Sequence, residues 1–452
     1  MATFGGLRFQ LLGRRGQFVI CVGLTCFLCL LFFREHPLTF SSQDGHFYDV
    51  PMDYARTSSN AQKLRFFKTV NNLDIFLYSA IANSREPSEG NLNIVISAFD
   101  STDSDSLQCC VQMKGNSIFT TQTSIFYQFY NEPSFVGPYI QSFYRNVLTK
   151  AKQYVCVVPE LGYEPSHVTL TFSSCPVVHD DYLPIVYPKK VPGGLAICGK
   201  AAFGDQLDPN KLMEWFEVQR LLGVDHIQIM DADNPEPVQK VFRYYKDMGL
   251  LNPLPYELPG KPYGRGLDLK RFVKDQGDHD KSFPILECTQ RLKGYSYVMG
   301  IDMDEVLVPV HHHNIKDFAN HKFMKNPDAA GFFFYTQFFV YDWGPTNTKS
   351  NISILRYLNS TLPKNECKKY IYLTSRVFQT RTHTYDPKPG FQRYWVDTDE
   401  AVLHHYRMCP KNVWPTCYPE KMTDASLMRL QSQLEKRIEI AREATGIRPP
   451  TA

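Results

Sequence analysis

The sequence predicts an α/β protein: a mostly parallel sheet flanked by helices, preceded by a smaller β-rich module and, before that, by one transmembrane helix. Three patterns predict it. From about residue 191 short apolar runs alternate with amphipathic helical stretches, which implies right-handed βαβ units. Residues 66–190 instead carry short β-rich runs split by turn residues. Near the N-terminus lies an unbroken apolar stretch.

That stretch, residues 18–33, reads FVICVGLTCFLCLLFF. It is shorter than the roughly 20 residues of a typical span and suits a thinner, early-secretory membrane. Arg8, Arg14 and Arg15 precede it, so residues 1–17 are expected in the cytosol and the rest of the chain in the lumen. The stretch ends in Arg34-Glu35-His36-Pro37 without small residues spaced for cleavage, which favours a signal-anchor over a signal peptide. Residues 34–65 are polar and read as a stem. Of the 12 cysteines, Cys21, Cys26 and Cys29 lie in the span. The other nine are expected to pair in an oxidising compartment, with one left over or bonded between chains. Asn351-Ile352-Ser353 and Asn359-Ser360-Thr361 are glycan acceptor sequons.

In the module of residues 66–190, strands are expected over 93–99, 117–130, 154–158 and 168–172, as an antiparallel, sandwich-like unit. Cys109, Cys110, Cys156 and Cys175 are its available staples, with connectivity open. Residues 191–420 form the proposed catalytic domain. Its first strand covers 195–198, and Asp208-Pro209 supplies an N-cap with proline at the first helical position. The helix over 211–222 places Leu212, Trp215, Phe216, Gln219 and Leu222 at helical spacing and stops at Gly223. A strand over 226–230, a helix over 237–248, a strand over 250–256, a helix over 281–293 and a strand over 297–301 follow. Residues 421–452 hold a C-terminal helix, with Leu427, Leu430, Leu434, Ile438 and Ala441 on one face between 423 and 445.

Composition narrows the function. The chain of 452 residues is 43% hydrophobic and 21% charged, which excludes wholesale disorder. Its 14% aromatic content suits a carbohydrate-handling surface, although aromatic-rich cores are commoner. A net charge of +3 without a basic, aromatic-interleaved cluster argues against a nucleic-acid partner. No P-loop, nucleophile elbow, H-E-x-x-H or C-x-x-C frame is present.

The chemistry points to acids beyond strand ends, where open α/β sheets bind ligands. Asp302 and Asp304 are one residue apart after the apolar run 297–301. Two such carboxylates can share Mn²⁺ or Mg²⁺, which can bridge the phosphates of a nucleotide-sugar and offset charge on the departing diphosphate. The competing reading is a solvated turn. Asp231 and Asp233 follow 226–230 and are candidates for base or ribose contacts, for a second metal site, or for a polar loop capped by Asp233 or Asn234. Asp278 and Asp280 line the donor site or cap the following helix. His405, in His404-His405-Tyr406-Arg407, offers a nitrogen ligand to the same metal, and Arg407 a grip on phosphate. His311-His312-His313 reads as solvated surface. Asp342, beside Trp343, is the candidate catalytic base.

Taken in order, these elements resemble glycosyltransferase family 92. They are Cys198-Gly199-Lys200, Glu214-Trp215-Phe216-Glu217, Leu222-Gly223-Val224, the strand-loop of residues 226–234, Gln276, Cys288, Asp302-Met303-Asp304-Glu305 and His404-His405-Tyr406-Arg407. The resemblance covers roughly residues 192–410. It implies a GT-A-type fold in a single-pass type II Golgi membrane protein with a luminal catalytic domain. It also implies inverting transfer from UDP-galactose, in β1,4 linkage, to galactose or fucose of a glycan on a glycoprotein or glycolipid. By the same resemblance Asp302 and Asp304 match metal-binding acids, and His405 with Arg407 match the late element. The acidic loop Asp231-Ala232-Asp233-Asn234 departs from the family's pattern. The alternative is a glycan-binding or adhesion protein with an inert transferase-like domain; a third is another metal-dependent phosphate enzyme.

Overall fold

The structure is a computed structural model. It describes residues 66–70, 75–83, 91–100, 106–114, 117–128, 150–159, 164–202, 207–232, 234–256, 274–409, 417 and 420–449. The expected tail, membrane segment and stem, residues 1–65, lie outside these. Among the described residues no helix is long and apolar enough to cross a membrane.

The β-rich module is built from β1 (Lys68–Thr69), β2 (Ile75–Asn83), β3 (Asn91–Asp100), β4 (Gln108–Met113), β5 (Ile118–Gln128), β6 (Lys150–Pro159), β7 (Pro165–Thr171) and β8 (Leu183–Val186). They run in the order β1-β2-β3-β6-β5-β4-β7-β8, and β2 also pairs with β8. That last pairing closes the sheet, so the expected sandwich is corrected to a barrel, which removes exposed strand edges. Ile75, Leu77, Ile94, Ile96, Val111, Tyr154 and Leu170 fill its interior. Cys109–Cys156 ties β4 to β6, and Cys110–Cys175 ties β4 to the segment after β7. Lys152 and Asp100, both buried, pair at 2.8 Å; unpaired, either charge would be costly here.

The second sheet begins as the alternation predicts. β9 (Val191–Ala202), α1 (Pro209–Leu221), β10 (His226–Asp231), α2 (Glu236–Asp247), β11 (Leu251–Pro255), α3 (Lys274–Arg291) and β12 (Tyr295–Gly300) follow one another, and β11-β10-β9-β12 are parallel neighbours. After β12 the pattern breaks. The remaining elements are β13 (Glu305–Pro309), α4 (Ile315–Lys325), β14 (Ala329–Val340), α5 (Ser353–Arg356), β15 (Asn359–Ser360), β16 (Lys364–Leu373), β17 (Val377–Arg381), β18 (Thr384–Pro387), β19 (Gln392–Trp395), β20 (Ala401–Arg407), β21 (Met422–Thr423) and α6 (Gln431–Thr445).

In this half β16 lies antiparallel to both β12 and β14, and β13 lies antiparallel to β20. β20 in turn runs parallel to β14. The eleven-stranded sheet is therefore mixed, and strand residues outnumber helical ones among the described residues. The expected mostly parallel GT-A-type α/β sheet is corrected accordingly. The reason is connection length. Parallel neighbours need a crossover of a dozen or more residues, and β12 and β13 are separated by four. The C-terminal helix is also shorter than expected: residues 422–423 form β21, Ser426–Leu430 a 3₁₀ turn, and the α-helix starts at Gln431.

The barrel and the mixed sheet meet through rings. Phe67, Phe99, Tyr256 and Phe283 are buried together, and Phe99 stacks on Phe283 with centroids 4.4 Å apart. Gln153 of β6 adds a polar tie, its Nε2 donating to the Leu286 carbonyl of α3 at 2.9 Å.

Candidate active site

β12 ends at Gly300, and residues 301–304 turn the chain into β13. Gly300 is required there: a Cβ would come within 2.7 Å of the Tyr370 ring on β16. The turn is closed by the Glu305 N–H donating to the Asp302 carbonyl at 3.1 Å, and by the Asp302 N–H donating to Glu305 Oε2 at 2.7 Å. α1 fixes the start of β13 from behind. Trp215 Nε1 and Gln219 Nε2 both donate to the Glu305 carbonyl, at 2.7 and 3.1 Å. The acidic run is thus held by a strand end, a turn and a helix, which is the rigidity a ligand site needs.

Two lysines from the strands beside β12 face these acids. Lys369 of β16, 1% exposed, lies 2.8 Å from Asp302 Oδ2 and 2.6 Å from Glu305 Oε1. Lys200 of β9 lies 2.5 Å from Asp302 Oδ1. Burial alone would raise the Asp302 pKa, but the two ammonium groups outweigh it and hold the carboxyl far below the usual range. Burial would depress Lys369, and Glu305 and Asp302 reverse that, raising it. For Glu305 burial prevails over Lys369 and the pKa is raised.

Lys200 reaches Asp302 by an unusual backbone route. Cys198 is opposite Gln228 and Ala201 is opposite Met230, so Gly199 and Lys200 together face one residue of β10. This is a β-bulge, a device that re-aims a side chain. Lys200 adopts φ = 59°. A left-handed backbone costs a non-glycine residue about 1–2 kcal/mol. The bulge and this backbone place the Lys200 ammonium on Asp302, where it is the strongest of the pulls that lower that carboxyl.

β20 brings the imidazole. His405 is opposite Glu305 in the β13–β20 ladder, and the Tyr406 N–H donates to the Asp304 carbonyl at 2.9 Å. His405 Nε2 lies 3.3 Å from Asp304 Oδ2. Its Nδ1 is buried 3.3 Å from Glu305 Oε1 and makes no hydrogen bond among the described residues. Burial would lower the His405 pKa, but Asp304 and Glu305 outweigh it and raise it. Asp304, Glu305 and His405 each place a donor atom within 4.8 Å of the others. Two carboxylate oxygens and one nitrogen of the His405 ring, whose Nδ1 is left unsatisfied, form a three-atom donor set that fits Mn²⁺ or Mg²⁺.

These groups open into a cleft of about 890 Å³. Asp302, Asp304, His405 and Arg407 all line it, so four of the residues singled out in the sequence converge. Lys200, Asp208, Lys211, Glu214, Trp215 and Tyr341 complete much of its wall. Lys211 Nζ sits 3.9 Å from the centre of the Tyr341 ring. Glu214 is 1% exposed, and its Oε2 accepts the Ser353 N–H at 2.8 Å. Burial outweighs that bond and its carboxyl is pushed up to about 7.

Other expected residues fall elsewhere. Asp231 closes its own loop, accepting Asn234 Nδ2 at 2.6 Å and Gln239 Nε2 at 2.7 Å, and is not among the cleft residues. Asp233 lies outside the described residues. Asp278 and Asp280 fall within α3, and their side chains lie outside the described residues. Asp342 is exposed, accepts the Cys409 N–H at 2.7 Å and does not line the cleft. His312 pairs with His321 at 3.0 Å on the surface. Sequence reasoning missed the parts played by Glu305, Lys200 and Lys369. Glu305 had a signal, since it adjoins the acidic pair; the lysines are brought in by strand pairing that the sequence does not display.

Carboxylates, an imidazole and cations thus gather at the carboxyl ends of β9 and β12, where sheets of this kind receive ligands. Residues 193–438 match the family model of glycosyltransferase family 92, over more than half of the chain. The chain belongs to that family. It is also similar to a β-1,4-galactosyltransferase of Caenorhabditis elegans, at 26% identity over 129 residues, which is 28% of this chain and 28% of the nematode protein. The alignment thus spans under a third of that relative's length.

Proposed function

We propose that the chain is a metal-dependent inverting galactosyltransferase, moving galactose from UDP-galactose in β1,4 linkage to a galactose or fucose of a glycan. The observation that supports this most is the cleft itself. Asp302, Asp304, His405, Lys200 and Arg407 line it within the family-matched segment, and Glu305 and Lys369 lie buried behind the acidic turn. The nematode relative's name supports galactose and the β1,4 linkage.

In this reading Asp304, Glu305 and His405 hold Mn²⁺ or Mg²⁺. The bound cation supplies Lewis-acid neutralisation of the diphosphate leaving group. Asp302 stays with Lys369 and shapes the charge of the floor. Arg407 grips donor phosphate, in the bidentate manner that guanidinium allows. Trp215 fixes the acidic turn so that the donor atoms meet the substrate without reorganisation. Residues 18–33 anchor the chain in the Golgi membrane with the body in the lumen. The four disulfides of the described residues suit that oxidising compartment.

The test is a donor screen on the purified chain, with galactose- and fucose-terminated acceptors, with and without chelator. The expected result is UDP release and a lengthened glycan with UDP-galactose and Mn²⁺ alone. Turnover of no UDP-sugar under any of these conditions contradicts the reading.

A further inference from the structure

We propose that Lys200 joins Arg407 in gripping the donor diphosphate, and that its pair with Asp302 is the resting state of that grip. The proposal rests on the reading of the cleft as a nucleoside-diphosphate site and names a residue for it.

Three observations carry it. First, the backbone is distorted to place this side chain. The bulge and the positive φ at Lys200 lift its ammonium out of the sheet and into the cleft. Gly199 allows the bulge to lie flat on β10, since a Cβ there would come within 2.9 Å of Ile229 Cγ2. A non-glycine residue held at positive φ beside a cleft is the kind of conformation that clusters at ligand sites.

Second, the two lysines differ in availability. Lys369 is almost wholly buried and tied to two carboxylates. Lys200 is 15% exposed, and among the described residues it forms an ion pair with Asp302, itself 35% exposed. A part-exposed ammonium at the mouth can reach an incoming anion without leaving a fully buried site. Lys369 remains to satisfy Asp302 when it does. Third, the Lys200 ammonium sits beside the acidic turn whose next carboxylate, Asp304, belongs to the cation-binding group. A diphosphate bridging that cation would be met by Lys200 from the adjoining strand.

A brace would look different. If Lys200 served only to neutralise Asp302, removing it would lower stability and leave nucleotide affinity alone. If it grips the diphosphate, the reverse holds. The experiment therefore measures UDP binding by calorimetry with Mn²⁺ present, together with the melting temperature, for the full chain and for Lys200→Met and Lys200→Gly. Both variants are expected to lose about tenfold or more in UDP affinity, the size of one charge-assisted hydrogen bond. Lys200→Met should melt as the parent does, and Lys200→Gly at or above it, because glycine accepts the left-handed backbone. Parent-like UDP affinity in Lys200→Met overturns the proposal, as does a drop of several degrees in both melting temperatures. A parent chain that binds no UDP overturns the cleft reading and this proposal together.

Discussion

Asp304 and Glu305 are adjacent, yet they answer to different constraints. Asp304 has a side chain 48% exposed with His405 as its neighbour, whereas Glu305 is buried and holds Lys369. Asp304→Asn is expected to abolish Mn²⁺-dependent turnover while moving stability by no more than about 0.5 kcal/mol. Glu305→Gln should abolish turnover too, and also cost about 2–4 kcal/mol, because a buried ammonium loses one of its carboxylates. Paired activity and urea-unfolding measurements separate the two; equal stability losses would contradict this division. Glu214 gives a pH signature. Its folded pKa of about 7 exceeds the ordinary 4.5, so between those values the native chain keeps a proton that the unfolded chain has released. Stability is then greatest below about pH 4.5 and falls as pH rises to about 7, by on the order of 3 kcal/mol. Glu214→Gln should flatten that fall. Melting curves of both proteins at pH 5 and pH 8 check it.

At the scale of elements, what was legible in the sequence was what is local. α1, α2, β10 and β12 carry their own periodicity and stop signals, and each formed within two residues of where it was expected. β14 has no such mark. Its run AAGFFFYTQFFV is apolar throughout because β16, β19, β20 and β15 flank it along its length. Such pairing is set by residues tens of positions away. The same cause explains the candidate site. The acidic turn and the late His-Tyr-Arg could be read as motifs, but Lys200 and Lys369 become site residues only once β9 and β16 are laid on either side of β12. The barrel's closure was hidden likewise, since β2 and β8 are far apart in the chain. β14 offers a direct check. A Cβ at Gly331 would lie 2.4 Å from the Ile371 carbonyl oxygen. Gly331→Ala should therefore push β14 off β16 at a cost of about 1–3 kcal/mol. An unchanged urea midpoint would show that the register is looser than described.

For the whole molecule, the barrel is joined to the mixed sheet chiefly by an aromatic cluster that α3 supplies from one side and β2, β3 and the Phe67 segment from the other. Phe283→Ala should cost about 3–5 kcal/mol and uncouple the two sheets into separate unfolding steps. A single, barely shifted transition would mean that other contacts do the joining. Among the described residues, those that line the cleft belong to the mixed sheet, its helices and their connecting segments. Central to the account is that one cation and one nucleoside diphosphate share this cleft. Anomalous diffraction from crystals grown with Mn²⁺ and UDP tests that most directly. The account predicts a manganese peak within bonding distance of Asp304, Glu305 and His405, with the diphosphate between it and Lys200. A peak held elsewhere, or UDP bound outside the cleft, would contradict it.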